Sequence, residues 1–262
     1  MRLSIERRLV KPAETTLNLK SSFWFGLKEL AKPNLRYRLG LIWIILDPFI
    51  TAAIYSFLIV VVRGNFRGFS ILLGVLTLQA MSRAITRNTS MNIATEPFPL
   101  MHTPTKSIIF SRISTDLAQA AAIGIAGAII IIPMADAPIA LLVHLPLVSM
   151  GLALFGVCLG VILSSPATLV KDIQKLVSYS MLASLFLLAV LYDYEMTSGF
   201  HRDVLSYIPH TFGVEWLRHI VSGGPFPFSS SHILKVSFFW IFLVFLGISR
   251  IDRNRWRLTT WV

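Results

Sequence analysis

Apolar residues come in long runs along this chain, separated by short clusters of charge. A helix needs about 20 apolar residues to cross about 30 Å of hydrocarbon, so runs bounded by charge mark the candidate spans. Six emerge. The first, Leu41–Val62, is interrupted only by Asp47, and the second begins after Arg67 and stays uncharged for 15 residues up to Arg83. Those residues cover only about 22 Å at a rise of 1.5 Å each, so the helix is expected to continue past Arg83 with the guanidinium snorkelling. The third runs from about Ile108 to Ile132, and the fourth fills most of the uncharged stretch Ala137–Val170. The fifth occupies about Leu176–Tyr192, and the sixth surrounds Val236–Ser249 and has to start earlier, near Ser231.

Three pieces do not fit a span. Phe23, Trp24, Leu27 and Leu30 recur at helical spacing between Lys20, Lys28 and Lys32, and Pro33 ends the pattern. They predict an amphipathic helix, either lying in the cytoplasmic interface or packed on the membrane body. A cytoplasmic loop, Asn88–Lys106, carries Pro97, Pro99 and Pro104 and a helix-compatible stretch Thr89–Glu96. It reads either as a plain connector or as a short helix docking into a soluble partner. The extracytoplasmic stretch Asp193–His232 is too apolar for an ordinary loop. Pro209 and Gly213 interrupt it, and Gly223, Gly224 and Pro225 interrupt it again, which predicts short helices broken by turns.

Composition agrees: 55% of the 262 residues are hydrophobic and only 14% are charged, which argues against a soluble domain. The formal charge of +11 first suggests nucleic acid, but the position of the charges decides otherwise. Nineteen Lys and Arg fall in residues 1–40, 83–112, 171–175 and 250–257, against five on the other side of the spans. That asymmetry places both termini in the cytoplasm and explains the charge by topology and lipid contact, leaving no nucleic-acid partner. A lone cysteine, Cys158, excludes an intrachain disulfide and a cysteine-based metal centre. The first 20 residues hold no apolar run of the length a secretory signal needs.

Little in the chain suggests catalysis. There is no Gly-rich loop ending in Gly-Lys-Ser/Thr, no pair of histidines at metal-ligand spacing on one helix and no Gly-x-Ser-x-Gly elbow. Asp193, Glu195, His201, Asp203, His210, Glu215 and His219 cluster in the outer segment, where acid/base chemistry competes with the ordinary needs of a solvated loop. Asp47, followed by Pro48, is about 10 Å into the first span and is read as structural, with Pro48 bending the helix. Arg112 and Asp116 stand one turn apart, at the spacing of an i,i+4 ion pair.

The stretch RYRLGLIWIILDP (residues 36–48) has basic residues, Leu-Gly, a Trp three residues after the Gly and a Pro five after the Trp. It resembles the opening of the permease subunits of type-2 ABC exporters, with capsular polysaccharide exporters as the nearest likeness. Asn88 and Ser90, followed by FPLMHTPTKSIIFSRISTDL (residues 98–117), look like that family's coupling loop and third span. YIPHTFGVEWLR (residues 207–218) is similar to its outer segment. One departure is Lys32-Pro33-Asn34, where the family shows an uninterrupted basic helix.

The resemblance implies an all-α membrane protein forming a single permease domain over residues 1–262. It would have six transmembrane helices, an N-terminal interface helix within residues 1–40, five spans within 41–192, re-entrant helices in 193–232 and the last span in 233–262. It implies a transport subunit of the inner membrane rather than an enzyme, paired with a second copy of itself and two copies of a separate ATP-binding subunit. ATP and Mg would be bound by that subunit, with no cofactor in this chain. The cargo would be a lipid-linked polysaccharide, and a periplasmic or outer-membrane export partner could complete the path. Arg36, Arg38 and Trp43 become candidates for contact with the lipid carrier's phosphate and glycan, since Arg binds phosphate bidentately; plain anchoring is the alternative. Asn88, Ser90, Ile93, Thr95 and Glu96 become candidates for coupling to the ATPase, and Pro209, Glu215 and Arg218 for an outer gate. Teichoic acid, O-antigen or drug export, and membrane-embedded glycan modification, remain alternative functions.

Overall fold

The computed structural model describes residues 23, 24, 26, 42–63, 68–90 and 105–258. Among them the chain is all-helical, with no strand. Eight helices follow in order: α1 (Ile42–Arg63), α2 (Gly68–Thr89), α3 (Thr105–Ala135), α4 (Leu141–Leu169), α5 (Asp172–Leu187), α6 (Gly199–Ser206), α7 (Pro209–Ser222) and α8 (Ser230–Leu258). Three stretches, Phe69–Thr89 of α2, Phe110–Ala135 of α3 and Leu141–Ser164 of α4, are long and apolar enough to cross a membrane, while α1 and α8 carry the shorter apolar stretches Ile45–Leu58 and Ser230–Leu243.

α2 and α4 form the centre, with α3 beside them. Small residues let the backbones touch. A Cβ on Gly156 of α4 would stand 2.6 Å from the Met81 carbonyl oxygen of α2, and one on Gly160 would stand 2.7 Å from that of Ile85. Gly124 of α3 approaches the Pro146 backbone of α4 as closely. In lipid, where apolar surface gains nothing by being buried, this close packing is what holds helices together. Leu73, Leu76, Ile85, Ile123 and Leu145 fill the remaining core. Outward positions are apolar too, among them Phe57 and Val61 on α1, Leu182 and Phe186 on α5, and Phe238 and Phe245 on α8.

Several boundaries differ from those expected. The fifth helix ends at Leu187, five residues before Tyr192, because Leu188 turns to extended geometry (φ −84°, ψ 161°). α2 carries Asn88 within its last turn, so the connection between α2 and α3 starts after it. Gly213 does not interrupt the outer segment: it lies inside α7, where a Cβ would stand 2.7 Å from Val148 Cγ1 of α4. The breaks fall at Pro209, which opens α7, and at Gly223, whose φ of +67° closes it. Arg83 does more than snorkel, since it lies 3.6 Å from Asp47 and ties α1 to α2. Of the amphipathic N-terminal stretch, only Phe23, Trp24 and Gly26 are within the described residues. Phe23 and Trp24 are exposed, while Gly26 is buried against α3 with its carbonyl accepting from Thr115 Oγ1 at 2.9 Å. At that point the segment packs on the helical body.

Candidate functional site

Where α5 stops, the chain does not surface. Leu188, Ala189 and Val190 are buried although their backbone has left the helix. Buried carbonyls without helical partners have to be satisfied by other groups. Arg218, on α7, supplies the donors: its Nη2 donates to Val190 O at 3.1 Å and its Nη1 to Tyr192 O at 3.0 Å. The same Nη1 donates to Glu215 Oε1 at 2.6 Å, and that oxygen also accepts the Tyr194 backbone N–H at 3.1 Å. Asp193 adds a second carboxylate 3.7 Å from Arg218 Nε. The side chains of Glu215 and Arg218 are each only 8% exposed. A planar guanidinium with five donors suits such a three-way junction.

The latched segment rests on one turn of α2. A Cβ at Gly74 would stand 3.0 Å from the Val190 Cα, tighter than ordinary contact, so glycine suits the close approach of the non-helical segment. On the same turn His210 Nε2 sits 3.2 Å from Thr77 Oγ1 and 3.3 Å from Gly74 O. The Gly74 carbonyl requires the proton to be on Nε2, which leaves Nδ1 as an unpartnered buried acceptor. Burial pushes the imidazole pKa down to about 4, so His210 is neutral near pH 7. Residues 226–232 close over α7 through rings: Phe212 and Phe228 centroids lie 4.2 Å apart, and Tyr194 and Phe228 4.7 Å apart.

A second polar cluster occupies the other end of the central helices. Asp116 of α3 accepts from Arg87 Nη1 at 3.1 Å and from Asn88 Nδ2 at 2.8 Å. Its carboxylate therefore ties α3 to α2, a pairing that the spacing to Arg112 does not suggest.

Of the residues singled out in the sequence, Pro209, Glu215 and Arg218 lie together on α7, with Glu215 and Arg218 paired. Asn88 is buried, its amide spent on Asp116 and Ala84 O, while Ser90 is exposed just beyond α2. Trp43 is half-buried on the first turn of α1. Arg36, Arg38, Ile93, Thr95 and Glu96 lie outside the described residues. Gly74, Thr77, Arg87 and the structural part of His210 escaped sequence reasoning, since only the long-range packing joins them. Among the described residues no three His, Cys, Asp or Glu side chains gather as a metal site. Compared with known proteins, the chain matches no family model and no curated protein.

Proposed function

We propose that this chain is the transmembrane subunit of an ATP-driven exporter that moves a lipid-linked polysaccharide across the inner membrane through a channel formed by two copies. Six spans would be α1 to α5 and α8, with both termini cytoplasmic. α5 covers about 24 Å at 1.5 Å per residue, short of the roughly 30 Å of hydrocarbon, and the buried non-helical residues 188–190 continue it. α6 and α7 would be the re-entrant cap on the outer side.

The observation that carries this reading is the latch. Non-helical backbone is tolerated at membrane depth only where protein satisfies its polar groups, and Arg218 and Glu215 do this for residues 190, 192 and 194. A broken, folded-back segment held between two apolar helices suits an outer gate better than it suits a surface loop. The order of the three sequence stretches quoted above adds the exporter class and the polysaccharide cargo. Hydrolysis belongs to a partner, docking on the loop between α2 and α3.

The test is reconstitution. The chain is purified with and without a candidate ATP-binding subunit, placed in vesicles and assayed for ATP hydrolysis and for movement of lipid-linked glycan. Hydrolysis stimulated by the chain, with glycan reaching the far side, supports the proposal. A chain that neither binds such an ATPase nor alters its turnover refutes it.

A further inference from the structure

Between α4, α7 and α8 lies a cavity of about 730 Å³. Phe155, Phe212, Trp216, Phe226 and Trp240 form much of its wall, and Ser237 is the one lining residue with a polar side chain other than the two indoles. The wall is braced. Trp240 donates to Tyr207 O at 2.8 Å and meets Phe155 edge-on at 4.3 Å, while Trp216 meets Phe226 edge-on at 5.5 Å. Gly151 lines it on the open side, itself exposed, and a Cβ built there meets nothing within 4 Å, so no neighbouring side chain closes the pocket at that point.

The mouth lies beside Leu154 and Ile241, both exposed, and continues onto the exposed apolar positions Leu147, Phe238 and Phe242 of the same two long helices. On a chain that crosses a membrane that face meets hydrocarbon, and a large apolar cavity open to hydrocarbon fills with it, because an empty one forfeits the contacts of its whole lining. One end is less apolar: the rings of His144 and His219 lie 6.1 and 5.8 Å from that of Trp216. An indole flanked by imidazoles is the environment of the bilayer interface, where an apolar body meets a polar group.

We propose that this cavity is a binding site for one acyl chain of a membrane phospholipid, inserted between α4 and α8 with its headgroup beside Trp216, His144 and His219. The volume falls within the range of about 300 to 1,000 Å³ typical of small-ligand sites, which suits one acyl chain and is too small for a polyprenyl chain several times longer. The site requires only that the chain spans a membrane, and its failure would leave the exporter reading untouched.

The full chain, delipidated in detergent, is titrated with palmitoyl-oleoyl phosphatidylglycerol and followed by native mass spectrometry and by thermal unfolding. The expected result is one saturable adduct and a midpoint that rises with lipid. Gly151→Phe, which places a ring in the void, should weaken the adduct about tenfold or more and raise the lipid-free midpoint. Gly151→Leu is the smaller filler should Phe fail to fold, and Leu182→Phe on α5, away from the cavity, should bind as the unaltered chain does. Adducts equal in all variants, absence of a saturable adduct, or binding of polyprenyl phosphate with exclusion of the phospholipid would each overturn the site.

Discussion

Arg218 lies one turn after Glu215 on α7, 2.6 Å away, and both side chains spend their remaining hydrogen bonds on the backbone of residues 190–194. The pair is therefore part of how the α5 end is folded, and its removal is felt there. Glu215→Ala or Arg218→Ala should each destabilise the protein by about 3 to 5 kcal/mol, the cost of leaving one partner of a buried pair behind. The charge-swapped double variant should not recover, because it sets a carboxylate against the Val190 and Tyr192 carbonyls. Thermal midpoints and yields of the three variants in detergent decide this, and recovery by the swap would mean that the backbone bonds matter little.

His210 gives the protein an acid limit. Its folded pKa, about 4, lies below the ordinary value of 6.5, so the unfolded chain binds the proton more readily. The stability that comes from keeping the imidazole neutral is fully present above pH 6.5 and is lost as pH falls toward 4, at up to about 1.4 kcal/mol per pH unit. Unfolding midpoints measured across that window should drop in the unaltered chain and flatten in His210→Gln. Equal slopes in the two proteins would place the acid sensitivity elsewhere.

Asp116 should matter in a graded way. Asp116→Ala removes one acceptor from the Asn88 amide, which keeps Ala84 O, and one from Arg87, which is partly exposed and can turn to water, so about 1 to 3 kcal/mol is expected. Asp116→Asn keeps an acceptor for Asn88 and should fall between the two. Denaturant midpoints in mixed micelles order the three proteins, and an alanine variant as stable as the parent would show that α2 and α3 need no such tie.

Two predictions follow the exporter proposal. Glutamate or proline at Ile93 or Thr95 should uncouple export from ATP hydrolysis without preventing membrane insertion, as seen when both rates are measured in the same vesicles. Arg36→Ala with Arg38→Ala should lower export and substrate-stimulated hydrolysis, with Lys recovering only part because the bidentate fork is lost. Full export by either set would remove the corresponding role.

How much of this was legible in the sequence depends on the range of the interaction. The helices were, because charge punctuates apolar runs; Pro209 and Gly223 marked the ends of α7 because each acts through its own backbone angles. Glu215 and Arg218 stood out through their spacing of three. Their task did not, since the carbonyls they hold are more than twenty residues away in the chain. The end of α5 was read too late because Leu188 to Leu191 are apolar and continue the run, while the reason the helix stops is the donor set on α7. Gly156 and Gly160 are four apart in an apolar helix, a pattern known to bring backbones together, and this signal was present but points to no particular partner helix.

Those two glycines also set what can move. With Met81 O and Ile85 O directly against the places where side chains would stand, α2 and α4 have no cushion of side chains on which to slide. Packed this closely, the two helices form one beam. Under the exporter proposal, the shape change of a transport cycle would then be taken up at its margins, where α1, α5 and α8 meet the beam through side chains that can change rotamer. If the exporter proposal holds, a substitution that stiffens those margins should slow export while leaving the beam as stable as before.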